Sequence, residues 1–413
     1  MEKFIEKIST TVPYTSDRID IELNGKNLII TGSNGSGKTS LVGSIYKKLI
    51  DIVRAKKLDK LTTWEQQKST WISQRDHAQE GSSQYHSATQ QIERLNREIE
   101  SVTSDPNIVI NDHLAFSRMV DSEMGVIELF HAVRQSQIQD ARSASGTNYN
   151  KGDLNNQNLS AQIGDQLEQH LVNLYTRRSF AITEHRNQEL EKDITKWLSD
   201  FDDNLKFLME DSSIHLDFDA DNFKFYIKQK GKEPYTFQNL SSGYSSIFSV
   251  FSKLLMRSEY LKVSPSKLCG VAIIDEIDAH LHVTLQRKIL PFLSESFPGI
   301  QYIVTTHSPF VLTSVSNAEI YDISRREQVG DLSSYSYESV LEGLFGVSSA
   351  SDILQNKIRD IAKKIEDENT NVEILEALVD NLNVSQSILD EESRFYLNRA
   401  KLKINKIKKG VEK

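Results

Sequence analysis

The amino-acid sequence predicts an α/β fold with a mixed central sheet, an inserted helical arm and a helical C-terminal region. Three observations carry this prediction. A glycine-rich loop stands between a strand-like segment and a helix-like segment near the N-terminus. Two later apolar runs, 269–276 and 300–307, end in polar residues, as buried parallel strands do at their carboxyl ends. A polar, helix-like stretch with seven-residue spacing lies between the loop and these runs.

The glycine-rich loop follows the apolar segment Leu28–Ile30 and precedes a helix with one apolar face. Its glycines let backbone N–H groups curl around the β- and γ-phosphates of a nucleotide, Lys38 reaches the same oxygens, and the Thr39 hydroxyl holds Mg²⁺. The alternative is a glycine-rich turn with a chance lysine. We call this loop the phosphate cradle, and its predicted residues are Gly32, Ser33, Asn34, Gly35, Ser36, Gly37, Lys38, Thr39 and Ser40.

The segments on both sides of the cradle have clear periodicity. Apolar and polar residues alternate over 19–23, Asn24-Gly25 is a strong turn signal, and 28–30 is apolar, which predicts a hairpin in an edge sheet. The helix after the cradle has its apolar residues at helical spacing. These are Leu41, Ile45, Leu49, Ile52 and Val53.

Composition limits the classes of function. A chain of 413 residues is long enough for roughly two to three domains. It has no apolar stretch near the ~20 residues of a membrane span and no signal-peptide pattern, so we expect a cytoplasmic protein without a membrane partner. The single cysteine, Cys269, forbids an internal disulfide and a Cys-x-x-Cys zinc hook. A net charge of −9 argues against general affinity for nucleic acid, but a local basic groove stays open.

Residues 57–120 are predicted to form the inserted arm. Apolar residues recur every seven residues, and from Tyr85 onward the companion heptad positions are also apolar, which predicts a coiled-coil seam over 85–102. Gly81-Ser82-Ser83 is either the bend of a short helical hairpin or part of one long helix. The recurring residues are Trp64, Trp71, Ala78, Tyr85, Ile92 and Ile99, with Ala88, Leu95 and Val102 as companions.

The chain after the arm is predicted to return to the sheet with a strand at 126–133 and then to be helical over 161–210. Two strand-like runs flank 219–222, which is either a solvated turn or an acidic metal site. The predicted parts are the N-terminal part of the head (1–56), the arm (57–120), the returning strand (121–136), a loop and helical subdomain (137–210), the C-terminal part of the head (211–335) and the helical C-terminal region (336–413).

The two apolar runs place ionisable side chains at one edge of the predicted sheet. Asp275 is positioned to hold Mg²⁺ through water, and Glu276 is positioned to orient and polarise an attacking water as a general base. His307 is positioned to hydrogen-bond the γ-phosphate and to sense hydrolysis. A lone histidine at a strand end is usually structural, but a predicted helix over 283–296 connects the two runs and favours the functional interpretation.

A segment of small residues, Ser241–Tyr244, directly precedes an apolar helix. Such a helix N-terminus presents backbone N–H groups and a serine hydroxyl to an anion. Taken alone, it is a common helix cap. Its position between the cradle and the acidic run indicates a second phosphate contact, and we call it the signature segment.

Five features together resemble the ATP-binding-cassette (ABC) ATPases. They look most like the branch that contains the SMC and RecF repair proteins and the stand-alone ATPases of bacterial anti-phage systems. The features are Lys38, the signature segment, Asp275-Glu276, the turn Asp278–His282 and His307-Ser308-Pro309.

The amino-acid sequences of 274–282 and of 305–309 most resemble those of the ATPase subunits of Septu-type, Septu-like retron and PARIS-type defence systems. The signature segment departs from the family's usual Leu-Ser-Gly-Gly-Gln, because Ser242 and Tyr244 replace glycine and glutamine. The resemblance covers roughly residues 15–56, 122–136 and 200–325.

The resemblance implies ATP and Mg²⁺ as ligands and ATP hydrolysis as the reaction. It also implies a homodimer or higher homo-oligomer, in which Ser241 and Gly243 of one head contact the ATP bound by the other. Tyr14 either stacks on adenine or is an ordinary packing residue. The implied catalytic residues are Lys38, Glu276 and His307, and the implied contacts to Mg²⁺ or its water are Thr39, Asp275 and Gln135.

The resemblance further implies a separately encoded effector, a nuclease or toxin, because the sequence has no recognisable nuclease constellation. A phage component or a nucleic acid would be the trigger. The alternatives are a RecF- or SMC-like repair ATPase acting on DNA and the ATP-binding subunit of a transporter. The apolar faces of 336–413 bury against the head or a partner, and Lys401–Lys409 is either a solvated helix or a contact for nucleic acid or an acidic partner.

Overall fold

The computed structural model divides the chain into two compact units, Met1–Ser334 and Tyr335–Lys413, here called the N-terminal and C-terminal units. Among the helices it describes, none is both long and apolar enough to cross a membrane. Residues 122–124, before the predicted strand at 126–133, and most of the predicted loop after residue 146 lie outside the described residues. The structure describes residues 4–54, 57–121, 125–146, 149, 162–184, 187–348, 350–367, 371–383, 389–408 and 410.

The N-terminal unit contains both strands and helices, whereas the described part of the C-terminal unit contains helices. The strands are β1 (Ile5–Thr11), β2 (Arg18–Glu22), β3 (Asn27–Thr31), β4 (Asn107–Ile110), β5 (Gly125–Phe130), β6 (His215–Asp219), β7 (Lys224–Lys228), β8 (Cys269–Ile274), β9 (Ile300–Thr305), β10 (Ala318–Asp322) and β11 (Glu327–Val329). The helices are α1 (Lys38–Arg54), α2 (Lys57–His77), α3 (Ser83–Thr103), α4 (His113–Asp121), α5 (Leu167–Thr183), α6 (Gln188–Met209), α7 (Ser242–Leu261), α8 (Val283–Gln286), α9 (Ile289–Ser296), α10 (Pro309–Leu312), α11 (Tyr337–Gly343), α12 (Asp352–Glu366), α13 (Val372–Asn383) and α14 (Glu391–Lys408).

A six-stranded sheet forms the centre of the N-terminal unit, in the order β11-β10-β3-β9-β8-β5. Neighbouring strands are parallel except β10 and β11, which are antiparallel. Every residue of β3 and β9 is buried, as expected for parallel strands that are covered on both faces. The predicted α/β fold with a mixed central sheet is confirmed. Because β3, β8 and β9 are parallel, their carboxyl ends lie at the same edge of the sheet.

A separate antiparallel sheet has the order β2-β1-β4. The prediction that β2 and β3 form one hairpin is wrong. Asn24 and Gly25 do turn, with φ of 50° and 69°, but the chain passes there from the small sheet to the central sheet. Strand β3 pairs with β9 and β10, which occupy both of its edges, so β2 pairs with β1 instead.

The arm is a helical hairpin of α2 and α3, so the hairpin alternative holds for the described residues. Gly81 lies in the turn with φ of 79°, and Ser82 is the N-cap of α3. The ammonium of Lys48, on α1, donates to the carbonyl oxygens of Ser101 (3.1 Å) and Ser104 (2.9 Å), which ties the base of the arm to the helix after the cradle. The buried residues of α3 all belong to the predicted seam and are Ala88, Ile92, Leu95 and Val102.

The helices around the central sheet mostly follow the predicted periodicity. The predicted apolar face of α1 is buried throughout. The predicted single helix over 283–296 is instead two short helices, α8 and α9. Pro291 explains the break, because in a continuous helix its ring would collide with the carbonyl of Arg287, whereas in the first turn of α9 it is tolerated.

The C-terminal unit has a hydrophobic core of its own. The apolar faces that were predicted to bury against the head or a partner bury mainly against one another, because α12, α13 and α14 contact each other. Ile374 is an exception and remains about half exposed. The buried core residues are Ile358, Ile361, Leu375, Val379, Leu382, Leu389, Leu397, Ala400 and Ile404.

Candidate nucleotide-binding site

The phosphate cradle connects the buried strand β3 to the N-terminus of α1. Gly32, Gly35 and Gly37 all have positive φ, of 141°, 78° and 93°, a backbone region in which glycine has no steric cost. The Lys38 side chain folds back into the loop, where its ammonium donates to the carbonyl oxygens of Gly32 (3.0 Å) and Ser33 (2.9 Å). The cradle therefore has the curled backbone and the inward-pointing cation that phosphate binding requires.

The second element of the site is the acidic turn, Asp275–Asp278, at the carboxyl end of β8. Asp275 is buried, and the hydroxyl of Thr305 donates to its Oδ1 at 2.6 Å. The backbone N–H of Glu276 donates to the same hydroxyl oxygen at 2.7 Å. Thr305 thus fixes one carboxylate and the backbone of the other, while the half-buried Glu276 side chain stays at the surface of the site.

The residues after β9 complete this edge. The hydroxyl of Thr306 donates to Asp278 Oδ1 at 2.5 Å, and the N–H of Ser308 donates to Thr306 Oγ1 at 2.9 Å. The hydroxyl of Ser308 donates to Gln286 Oε1, on α8, at 2.6 Å. His307 lies between these two anchored residues, so its backbone is held from both sides.

Electrostatic interactions show that these elements converge. Burial lowers the pKa of Lys38, and the carboxylates of Glu276, Asp275 and Asp278 oppose that shift. Burial also lowers the pKa of His307, the charge of Lys38 lowers it further, and Asp278 and Glu276 oppose both effects. The cradle lysine, the acidic turn and the histidine therefore lie within range of one another at a single edge of the sheet.

The donor set fits a Mg²⁺–nucleotide complex. Ser36 Oγ is buried in the cradle and has no hydrogen-bond partner among the described residues. The exposed Thr39 hydroxyl and the Asp275 carboxylate are hard oxygen donors of the kind that Mg²⁺ prefers. Within the described residues no three carboxylate, imidazole or thiolate groups are placed to hold a metal ion by themselves, and a P-loop Mg²⁺ site needs none, because phosphate oxygens and waters supply its remaining ligands.

The signature segment is not part of this same-chain cluster. Ser241 is the exposed N-cap residue of α7 and makes no side-chain capping bond. Gly243 is buried, and a Cβ there would lie 3.1 Å from the carbonyl oxygen of His280. In the described part of the chain, no hydrogen bond joins Ser241 or Gly243 to the cradle.

Two other predicted residues lie on the surface of the described chain. Gln135 is exposed and makes no described hydrogen bond, so its contact with Mg²⁺ stays a prediction. Tyr14 is 99% exposed with φ of 66°, two residues after Val12, whose side chain approaches Gly37 of the cradle. A side chain this exposed packs against nothing in the described chain, so the packing interpretation is wrong, and stacking on adenine stays a prediction.

Sequence reasoning missed Arg134, which immediately precedes Gln135. Its guanidinium donates to backbone carbonyl oxygens of the acidic turn. Burial lowers its pKa to about 10, and the carboxylates of Asp278, Asp275 and Glu276 oppose that shift. The guanidinium is therefore charged at neutral pH. The signal that was available is the position of a cation directly after a predicted strand, but the pairing of β5 with β8 was needed to interpret it.

The central sheet carries the cradle, the acidic turn and His307 at one edge, an arrangement typical of a nucleotide-binding α/β protein. A family model described as "AAA domain, putative AbiEii toxin, Type IV TA system" matches residues 130–313, which begin after the cradle. "Retron Vc95 probable ATPase" of Vibrio cholerae serotype O1 biovar El Tor is 41% identical over 85 residues, 20% of this chain and 16% of that protein.

Two further relatives give the same picture. "Retron Ec83 probable ATPase" of Escherichia coli is 35% identical over 119 residues, 26% of this chain and 21% of that protein. "Septu protein PtuA" of Bacillus thuringiensis is 29% identical over 169 residues, 36% of this chain and 42% of that protein. The matches thus span less than half the length of each of these relatives. The predicted resemblance to the ATPases of retron and Septu systems is confirmed.

Proposed function

We propose that this chain binds and hydrolyses ATP as the sensor subunit of a bacterial anti-phage defence system, where it controls a separately encoded nuclease or toxic effector. The observation that supports hydrolysis is the convergence of Lys38, Asp275, Glu276 and His307 at one edge of the central sheet. The retron and Septu names of the relatives support the role in defence.

The proposed reaction needs positioning and charge neutralisation rather than covalent chemistry. The cradle amides and Lys38 hold the β- and γ-phosphates. Thr39, and Asp275 through water, would hold Mg²⁺, and the ion would supply positive charge to the phosphate oxygens. Glu276 orients the attacking water and accepts its proton. Burial and the charge of Lys38 lower the pKa of His307 and so favour the neutral imidazole, which can donate one ring N–H to the γ-phosphate.

The proposed assembly is a head-to-head dimer that encloses two ATP molecules. Ser241 supports this assembly, because it lies exposed at the N-terminus of α7 and makes no side-chain capping bond. A helix N-terminus with free donors attracts an anion, and the γ-phosphate in the partner's cradle is such an anion. ATP should therefore join two heads, and hydrolysis should separate them.

The experiment compares Lys38→Ala and Glu276→Gln with the wild type. Lys38→Ala should lose ATP binding, because the cradle loses its cation. Glu276→Gln should still bind ATP and hydrolyse it at least ~100-fold more slowly, within the range that general bases contribute. Sedimentation of Glu276→Gln should show a monomer without ATP and a dimer with ATP and Mg²⁺.

A matched control is Glu22→Gln, which removes a carboxylate that pairs with Lys7 on the small sheet. It should leave hydrolysis and sedimentation unchanged. Wild-type hydrolysis by Glu276→Gln would contradict the assignment of the base. A monomer at saturating ATP would contradict the proposed dimer.

A further inference from the structure

We propose that Arg134 is a positioning residue for ATP hydrolysis, because its guanidinium holds the backbone that presents Glu276 to the attacking water. The inference rests on the proposed function, in which Glu276 is the general base. Arg134 itself need not touch ATP.

The contacts of Arg134 are unusually concentrated. Its Nη1 donates to the carbonyl oxygen of Asp275 at 2.8 Å, and its Nη2 donates to those of Glu276 at 3.2 Å and Ile277 at 3.0 Å. Nη1 also donates to the carbonyl of His131 at 3.0 Å, which anchors the guanidinium to its own loop. One rigid, planar group therefore fixes three consecutive peptide units of the acidic turn.

The backbone of Glu276 needs such support. Its φ is 45°, in the left-handed region that a residue with a Cβ rarely occupies and that persists only where the surroundings enforce it. On the amide side, Thr305 accepts from the N–H of Glu276 and from that of Ile277. On the carbonyl side, the oxygen of Glu276 accepts from Arg134 at 3.2 Å and from the N–H of Ala279 at 2.9 Å, while Arg134 also holds the neighbouring carbonyl oxygens of Asp275 and Ile277. Removing the guanidinium leaves the Ala279 bond in place but releases the contacts that tie the carbonyl oxygens of Asp275, Glu276 and Ile277 to one rigid group.

The charge of Arg134 acts in the same direction. The guanidinium lies close enough to Asp275, Glu276 and Asp278 to interact with all three carboxylates. A fixed cation behind the acidic turn offsets the mutual repulsion of these three carboxylates and so helps to keep the turn in place. Because it acts through the carbonyls, its loss should misplace Glu276 without opening the cradle.

The experiment compares Arg134→Ala and Arg134→Lys with the wild type in full-length protein. Arg134→Ala should lower kcat by ~10- to ~100-fold, the cost of displacing a reacting group by a fraction of an ångström to an ångström. The dissociation constant of a fluorescent, non-hydrolysable ATP analogue should change less than ~3-fold. Arg134→Lys keeps the positive charge but loses the planar guanidinium that donates from two nitrogens. Its kcat should therefore lie between those of the wild type and Arg134→Ala.

Two further measurements separate positioning from a general structural role. The double variant Arg134→Ala/Glu276→Gln should hydrolyse ATP no more slowly than Glu276→Gln, because residues that act as one unit are not additive. Free guanidinium ion should restore part of the kcat of Arg134→Ala. The matched control is Arg257→Ala, which removes another largely buried arginine, one that pairs with Glu128 of β5; its kcat should be unchanged and unaffected by guanidinium.

The outcomes distinguish this inference from the function on which it rests. A wild-type kcat in Arg134→Ala, or additive losses in the double variant, overturns the role of Arg134 while Glu276 remains the base. Wild-type hydrolysis by Glu276→Gln overturns both. If Arg134→Ala does not fold, Arg134→Lys decides in the same assays, since an unchanged kcat in that variant overturns the need for the guanidinium fork.

Discussion

Single residues in the cradle are glycine for different reasons. A Cβ at Gly32 would lie 2.6 Å from the Ile323 side chain and 2.8 Å from the Ser324 hydroxyl. That hydroxyl accepts from the N–H of Ser33 at 2.8 Å, so the clash would also disturb the start of the loop. A Cβ at Gly35 would meet nothing within 4 Å. Gly32 is therefore required by packing, and Gly35 only by its backbone angle and by the space above it.

This difference predicts two classes of defect. Gly32→Ala should lower the free energy of unfolding by ~2–4 kcal/mol, from backbone strain together with overpacking. Gly35→Ala should cost only the strain of ~1–2 kcal/mol, but it should weaken ATP binding because its methyl group occupies the mouth of the cradle. Thermal unfolding and nucleotide titration measure the two effects. Equal losses of stability would contradict the distinction.

The residues of the site differ in how far the sequence alone reveals them. Lys38 and Thr39 are recognisable because the chemistry of the cradle is contained in consecutive residues. Asp275 and His307 are recognisable because each ends an apolar run. Arg134 is not, because its contacts with the acidic turn are with residues 141 to 143 positions away and exist only once β5 pairs with β8.

At the scale of elements, periodicity predicts helices better than strand partners. The apolar face of α1 is buried as predicted, and four of the six predicted seam residues of α3 are buried, because helical spacing depends only on neighbouring residues. The prediction that β2 and β3 form a hairpin is wrong, although the turn between them has the expected positive φ at Asn24 and Gly25. A turn reverses the direction of the chain, but it does not determine which strand β3 pairs with. Strands β9 and β10, which are distant in sequence, pair with the two edges of β3.

Helices α5 and α7 are joined by a buried polar cluster. His170 is almost fully buried, its Nδ1 lies 2.7 Å from the Tyr149 hydroxyl, and its Nε2 lies 3.5 Å from a carboxylate oxygen of Glu259. Burial lowers the pKa of His170 to about 3, and the charge of Arg177 adds to the effect. Burial raises the pKa of Glu259. The folded protein therefore favours a neutral imidazole at this position.

This cluster predicts acid sensitivity. Because the unfolded chain binds a proton at His170 near pH 6.5 and the folded chain does not, stability should fall as the pH drops below 6.5, by up to ~1.4 kcal/mol per unit. The raised pKa of Glu259 acts in the opposite direction, since protonating it in the folded state adds stability as the pH falls. Between pH 7 and 5, His170→Gln should therefore lose less stability than the wild type.

Thermal unfolding at several pH values measures this dependence. The control is His215→Gln, which removes an exposed histidine from β6 and should keep the wild-type slope. An identical slope in the wild type and His170→Gln would show that the cluster does not govern acid sensitivity.

At the scale of the whole molecule, the C-terminal unit is the best candidate surface for the effector. Its hydrophobic core is formed by residues of its own helices, so the apolar side chains that remain exposed are not part of that core. Ile353, Phe395 and Leu402 are 71%, 55% and 62% exposed. Phe395 and Leu402 lie seven residues apart on α14 and therefore on one face of the helix. Two apolar side chains on one exposed helix face give a partner a surface on which to dock, which is the reason for testing this face first.

Removing the C-terminal unit should separate ATP chemistry from defence. A chain cut after Ser334 should bind ATP, because every proposed ATP and Mg²⁺ contact lies in the N-terminal unit, but it should lose co-purification with the product of the flanking effector gene and lose phage protection. Phe395→Glu should have the same effect on the partner without lowering the melting temperature. Leu397→Ala, two residues away in the core, is the converse control and should cost ~2–5 kcal/mol of stability.

The purified chain alone should not degrade DNA or RNA in Mg²⁺. A truncated chain that still holds the effector, or nuclease activity in the chain alone, would contradict the division of labour proposed for this protein.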